Sequence, residues 1–311
     1  MSKFSGLKVF APATVANVAV GYDVLGFAIN DIGDELIIRK GTARGLKIKA
    51  IHNNNTLSKD IMKNTAGFAA FKVLESLGME NEAIEMELIK NMGIGTGLGS
   101  SAASAVAGAF GINEFLGNPY NKIDLLRFAT LGEELADGAY HADNVAPSLL
   151  GGIVLIRDVS TMDVIKLPVP MGIKCVLIYP EIEVLTQDSR AILSDQISLN
   201  DHIKQSGNLA AFVSALYKAD LDLLSRSLSD CIVEPQRAHL IPLFHKAKEL
   251  ALDNNALGYS ISGAGPSMFA LCSNSNIAEN VAESIRGLYT DNQINSNYYI
   301  SDINLTGAKK Y

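Results

Sequence analysis

The stretch Asn91-Met-Gly-Ile-Gly-Thr-Gly-Leu-Gly-Ser-Ser-Ala-Ala-Ser-Ala-Val-Ala-Gly-Ala-Phe-Gly111 decides how the rest of the chain reads. Glycines alternate at Gly93, Gly95, Gly97 and Gly99, directly before Ser100 and Ser101. Such spacing lets the backbone take positive φ and lets a bulky ligand lie against bare N–H groups. The small apolar run from Ala102 to Phe110 predicts a helix, with Ser100 or Ser101 as its N-cap. A helix start carries unpaired N–H donors and about half a positive charge, so it attracts anions. Ile84 to Leu88 alternates apolar and acidic residues as a half-buried strand does. Strand, glycine loop, serine pair and helix together predict a phosphate cradle, against the plainer reading of a tight corner.

Two named motifs can be compared with this stretch. The P-loop requires Gly-Lys-Ser/Thr, and no lysine lies between Lys90 and Lys122. Gly97-Leu-Gly99-Ser-Ser-Ala102 does fit the dinucleotide fingerprint G-x-G-x-x-A. That fingerprint belongs to a first βαβ unit, whereas the whole chain up to Lys90 precedes it and a helical pattern, Ile123 to Ala139, follows. A dinucleotide-dependent oxidoreductase is therefore the weaker reading, separable by titration with reduced nicotinamide cofactor.

Composition sets outer limits. The chain has 311 residues, 48% hydrophobic and 19% charged, enough for one large or two ordinary globular domains. A net charge of −7, with no basic run longer than Lys309-Lys310, disfavours nucleic acid. No apolar run reaches the ~18 residues of a membrane span and no signal-peptide core is visible, so a cytoplasmic protein without a membrane partner is expected. Cys175 and Cys272 sit in apolar runs and Cys231 stands apart, which predicts reduced thiols rather than disulfides or a metal site.

Further along, Leu7 to Phe10 predicts a short strand stopped by Ala11-Pro12. Between Ala13 and Gly26 the chain is apolar except for Thr14, Asn17 and Asp23. Asn17 and Asp23 either cap turns or point into a pocket to bind a polar ligand; composition leaves both open. Glu35 to Arg39 and Leu46 to Ala50 predict a hairpin or meander, and Asn64 to Leu77 an amphipathic helix. On the helix predicted for Ile123 to Gly138, Glu133 shares a stripe with Leu126, Ala129 and Ala136, whereas Glu134 aligns with Arg127, Thr130 and Asp137. Glu133 is thus the inward acid. Beside phosphates its partner would be Mg²⁺, and away from them it would snorkel to water.

His141-Ala-Asp143-Asn144-Val-Ala-Pro147 forms a candidate pocket lip before the strand Gly151 to Ile156. After Pro168-Val-Pro170 the pattern restarts, and a domain boundary is expected at Pro170. A strand at Ile173 to Tyr179 is followed by helices at Asp188 to Leu193, Leu199 to Tyr217, Leu221 to Ser229 and Ile241 to Leu252. Arg190 and Arg237 either face solvent or recognise a carboxylate or phosphate in a cleft. Tyr259-Ser-Ile-Ser262-Gly-Ala-Gly-Pro-Ser267 is a second glycine loop before a strand at Met268 to Leu271, and Tyr298 to Leu305 predicts an edge strand. Two glycine loops in one chain favour a substrate cleft.

Three of these stretches, Pro12 to Gly26, Gly93 to Ala103 and Ser262 to Ser267, together resemble the GHMP kinases, a family that includes galactokinase and mevalonate kinase. Their order and spacing span nearly the whole chain. Ala16-Asn17, Gly21-Tyr22-Asp23, the His141 to Pro147 segment, Thr186 with Arg190, and Glu234-Pro-Gln-Arg237 resemble the branch that acts on an amino-acid alcohol. The resemblance implies an α+β, two-domain fold: a ribosomal-S5-like ATP-binding domain over 1–169 and a ferredoxin-like domain over 170–311. It implies ATP and Mg²⁺, with phosphoryl transfer to the side-chain hydroxyl of L-homoserine. Small molecules are the implied partners, with a homodimer left open.

Residue by residue, the resemblance implies that Gly93, Ile94, Gly95, Thr96, Gly97, Leu98, Gly99, Ser100, Ser101, Ala102 and Ala103 wrap the triphosphate, with Asn64 near the adenine. Ser101 and Glu133 would hold Mg²⁺. Asn17, Asp23, His141, Asn144, Arg190 and Arg237 would hold the amino acid, Asp23 suiting an ammonium and the arginines a carboxylate. His141 and Asp23 are also the candidate proton acceptors. Two departures stand out: Gly93 occupies a position where the family usually has proline, and no lysine–aspartate pair of the mevalonate-kinase kind is evident.

Overall fold

The computed structural model describes residues 6–93, 95–182, 184 and 186–311. β1 (Leu7–Val18) and β2 (Gly21–Lys40) form a long antiparallel hairpin closed at Ala19 and Val20. The expected stop at Ala11-Pro12 does not occur. Pro12 stays in register opposite Gly33, and the ladder slips between Pro12 and Thr14. Among the described residues no strand flanks the outer side of β1 beyond Phe10, so a missing N–H costs no ladder bond there.

β3 (Leu46–His52) is not the hairpin partner of the Glu35–Arg39 segment. It runs parallel to β4 (Ile84–Ile89), which lies between β2 and β3. α1 (Thr65–Ser76) makes the crossover that a parallel pair requires. Asn64 caps α1, accepting from the Gly67 N–H at 3.1 Å. α2 (Ser100–Phe115), α3 (Lys122–Asp137) and α4 (Val145–Leu150) follow, then β5 (Ile153–Asp158) on the first half of β2 and β6 (Asp163–Leu167) beside it. α2 is buried almost throughout, against β1 and β2 on one side and α1 and α3 on the other. A small-residue helix suits a position enclosed on every face.

β7 (Lys174–Pro180) opens a second, four-stranded antiparallel sheet. It is followed by α5 (Thr186–Ala191), α6 (Leu199–Lys218), α7 (Leu221–Ser227), the single turn α8 (Glu234–Arg237) and α9 (Phe244–Asp253). β8 (Gly258–Ile261), β9 (Met268–Cys272), α10 (Ser275–Asp291) and β10 (Ser296–Asp302) complete it. The order β10-β7-β9-β8 with these crossovers is ferredoxin-like, and β10 is an edge strand. α10 has no counterpart in the sequence reading, although Asn274 caps it and Ala278, Val281, Ala282, Ile285 and Tyr289 bury one stripe.

One apolar core joins the two sheets. It includes Phe27 from β2 and Phe212 from α6, with Cys175, Leu177 and Phe269 from the second sheet. Phe27 and Phe269 meet edge to face at 5.9 Å. α9 and α10 cover the other face of the second sheet. The final segment returns to the first sheet: Ile303 bridges Ile29, and β11 (Lys309–Lys310) pairs with β1.

Candidate active site

The glycine loop runs from the end of β4 into α2, and its conformation depends on residues without side chains. Gly97 and Gly99 have φ of 74° and 64°. A Cβ on Gly97 would lie 2.7 Å from the Ser262 carbonyl oxygen, and one on Gly99 2.2 Å from Thr14 Oγ1. Gly99 is the N-cap of α2, with no side-chain cap bond, so neither serine caps the helix as expected. Both hydroxyls are committed elsewhere. Ser101 Oγ donates to Glu133 Oε1 at 2.9 Å, and Ser100 Oγ accepts from Lys90 Nζ at 2.7 Å. The start of α2 therefore keeps its amides available for an anion.

The second glycine loop clasps the first. Ser262 Oγ donates to the Gly97 carbonyl at 2.7 Å and Ser267 Oγ to the Thr96 carbonyl, while Gly263 N–H donates to Ala16 O at 3.1 Å. The third bond anchors the second loop to β1, and the two serine bonds take up carbonyls of the first loop. Beneath it lies a network that the sequence reading missed. Lys90 and Asp34, 4% and 0% exposed, form a buried ion pair. Lys90 Nζ also reaches Ser100 O at 3.0 Å and Ser104 Oγ at 2.9 Å, and Asp34 accepts from the Asn91 N–H at 3.1 Å. One carboxylate on β2 thus ties together both ends of the loop. A lysine–aspartate pair does exist, then, but it lies beneath the loop.

A cleft of about 990 Å³, counted out to its mouth, opens between this loop and the second sheet. Gly95, Thr96, Gly97, Gly99, Ser100 and Ser101 form one wall, with Glu133 beside them. Asn17, His141, Asn144, Arg190 and Arg237 line it as well, Asn144 Oδ1 lying close against Gly99. Glu133 is 3% exposed and Glu134 half-buried, as the stripe predicts for the two acids, although Thr130 on the outward stripe is buried and Ala136 on the inward one is exposed. Leu98, Ala102 and Ala103 face the core instead, and Gly93 does not line the cleft. Asn64 spends its side chain on capping α1 and on Ser58 O at 2.9 Å, although its neighbour Thr65 and Leu57 reach the cleft. Ile94 falls outside the described residues.

Charges gather around Arg190 and Arg237. Asp23 and Arg190 form a two-pronged pair at 3.0 and 3.2 Å. Asn17, at φ 54°, accepts from the Asp23 N–H at 2.8 Å and donates to Gly263 O at 2.9 Å. Turn-capping and facing the cleft, set out as alternatives for Asn17, both occur. Arg237, 2% exposed, donates to Ser189 O at 2.8 Å and Gly263 O at 3.2 Å. Burial, then the nearby Tyr22 and Arg190, act on its guanidinium, with a net lowering of its pKa. His141 Nδ1 sits 3.0 Å from Asp143 Oδ1, and Asp23, His141 and Asp143 place ligand atoms within 4.8 Å of one another. Thr14 Oγ1 donates to Asn144 Oδ1 at 2.6 Å. Among the described residues, no helix is long and apolar enough to cross a membrane.

The arrangement pairs an anion-binding helix start and an oxygen-donor pair with a doubly charged pocket, all on one cleft. Comparison with known proteins agrees. The pattern of the GHMP kinases N terminal domain matches residues 63–152, and that of the GHMP kinases C terminal region matches 212–291. A homoserine kinase of Chlorobium phaeobacteroides (strain BS1) is 42% identical over 96% of this chain and 98% of its own. The crystal structure of homoserine kinase from Cytophaga hutchinsonii superposes with a TM-score of 0.96 at 46% identity, covering 100% of this chain and 99% of that one. A mevalonate kinase from L. major in complex with R-mevalonate, 16% identical with a TM-score of 0.69, shares the fold over 97% of each chain. The chain belongs to the GHMP kinase family and groups with its homoserine kinases.

Proposed function

We propose that this chain transfers the γ-phosphoryl group of ATP to the side-chain hydroxyl of L-homoserine, giving O-phospho-L-homoserine for threonine synthesis. One observation carries the reading: the start of α2 and the guanidiniums of Arg190 and Arg237 line the same cleft, with Asp23 held against Arg190. The triphosphate lies along Gly95 to Ser101, and the nucleoside end lies towards Leu57 and Thr65, on the wall that Asn64 caps. Ser101 Oγ and Glu133 Oε1, two oxygens 2.9 Å apart, suit Mg²⁺, a hard cation that prefers oxygen ligands. Bound there, the metal would offset charge on the phosphates.

The amino acid takes the other end. Its ammonium goes to Asp23 and its carboxylate to Arg190 and Arg237, so one existing ion pair is exchanged for two. Asn17 and Asn144 complete the pocket. Transfer then depends on alignment and charge stabilisation. His141, oriented by Asp143, supports a role in receiving the hydroxyl proton, with Asp23 the second acceptor within reach. On this reading residues 1–169 form the nucleotide half and 170–311 the other. The enzyme is cytoplasmic, and Leu199 and Ile203, exposed on one face of α6, offer surface for a homodimer.

ADP release measured with L-homoserine, mevalonate, shikimate and galactose tests the proposal. Turnover should require homoserine. Comparable turnover with any other alcohol, or saturable binding of reduced nicotinamide cofactor, would overturn it.

A further inference from the structure

Tyr22 does not line the main cleft, yet it touches both cleft arginines from behind. Its hydroxyl oxygen accepts from Arg190 Nη1 at 3.1 Å and from Arg237 Nη2 at 3.4 Å. Its ring lies 5.8 and 5.0 Å from the two guanidinium carbons. It lines two further hollows, one shared with Arg237 and one with Arg190. Two cations aimed at one point repel each other, and both must be held if they are to meet a carboxylate together. The Tyr22 oxygen supplies lone pairs to both, and the ring face adds attraction to both. Burial above all, then the Asp23 charge, pushes the phenol pKa up and keeps it protonated. No phenolate therefore competes with a ligand for the two guanidiniums, of which Arg190 is already paired with Asp23.

We infer that Tyr22 is a positioning residue that sets carboxylate specificity, by bracing Arg190 and Arg237 into one two-pronged anion site. The inference rests on the amino-acid reading above and adds to it the residue that makes two separate arginines act as one receptor. Neither arginine is fixed by its own element alone. Arg190 comes from α5 and Arg237 from α8, and β2 brings Tyr22 between them.

Steady-state kinetics of the full chain with Mg²⁺ and ATP decide it, using L-homoserine and 3-aminopropan-1-ol, which is homoserine without its carboxylate. Tyr22→Phe keeps the ring and removes the acceptor. It should raise KM for homoserine by about tenfold, the loss expected for hydrogen bonds to charged groups. KM for ATP and kcat/KM for 3-aminopropan-1-ol should stay within about twofold. Tyr22→Leu, which removes the ring as well, should narrow the preference for homoserine at least as far. Equal losses on both alcohols, an unchanged homoserine KM in Tyr22→Phe, or a milder effect in Tyr22→Leu would overturn the brace. A wild-type chain inert towards homoserine would instead sink the parent reading, and this inference with it.

Discussion

Two adjacent carboxylates on α3 occupy different environments. Glu133 is buried against Ser101, and Glu134 is only half-buried one residue on. Glu133→Gln keeps the shape and removes the charge, so Mg²⁺-dependent turnover should fall at least about a hundredfold. Glu134→Gln should alter kcat less than about twofold. Parallel ADP-release assays at saturating ATP, with circular dichroism to verify the fold, check both; equal losses would refute the assignment. Glu133 was legible in advance because a helical stripe is a local property. Asp34, Lys90 and Tyr22 were not. Asp34 meets Lys90 across 56 residues, and Tyr22 meets its arginines across 168 and 215. No spacing rule reaches that far.

For single elements, the glycine loop and α2 show how conformation and chemistry constrain each other. Gly99→Ala would place a methyl group at φ 64° and against Thr14 Oγ1, which itself bonds Asn144. A left-handed alanine costs about 1–2 kcal/mol before any clash. The variant should melt several degrees lower and show a raised KM for ATP, because the cap and the anion site are one structure. Calorimetry with ATP titration checks both, and a variant of wild-type stability and affinity would show that the turn tolerates a side chain. The helical faces of α1 and α3 were legible from periodicity, as were β4 and the second glycine loop. Long-range pairing was not. β3 joins β4 in parallel because α1 intervenes, and β1 passes through Pro12 because its outer edge is open there. In each case the partner strand, rather than local propensity, decided the outcome.

Over the whole molecule, the two apolar cores contain groups that prefer to stay neutral. Burial pushes the Cys272 thiol from its ordinary 9.0 up to about 12, and raises Cys175, Tyr259 and Tyr289 as well. Their folded values lie above their unfolded ones. Stability is therefore complete below about pH 9 and declines as pH rises towards 12, where the unfolded chain sheds protons that the native chain retains. The urea midpoint should fall steadily between about pH 9 and 12, and Cys272→Val should flatten part of that slope. A midpoint independent of pH in both chains would show that these groups are not sealed in the core.

The return of Ile303 and β11 to the first hairpin sets the order in which the protein can mature on the ribosome. β1 leaves the exit tunnel long before its outermost partner, β11, has been made. The serines that clasp the nucleotide loop are likewise synthesised long after the loop itself. A nascent chain that has not yet reached Ser267 thus carries the first glycine loop without its clasp.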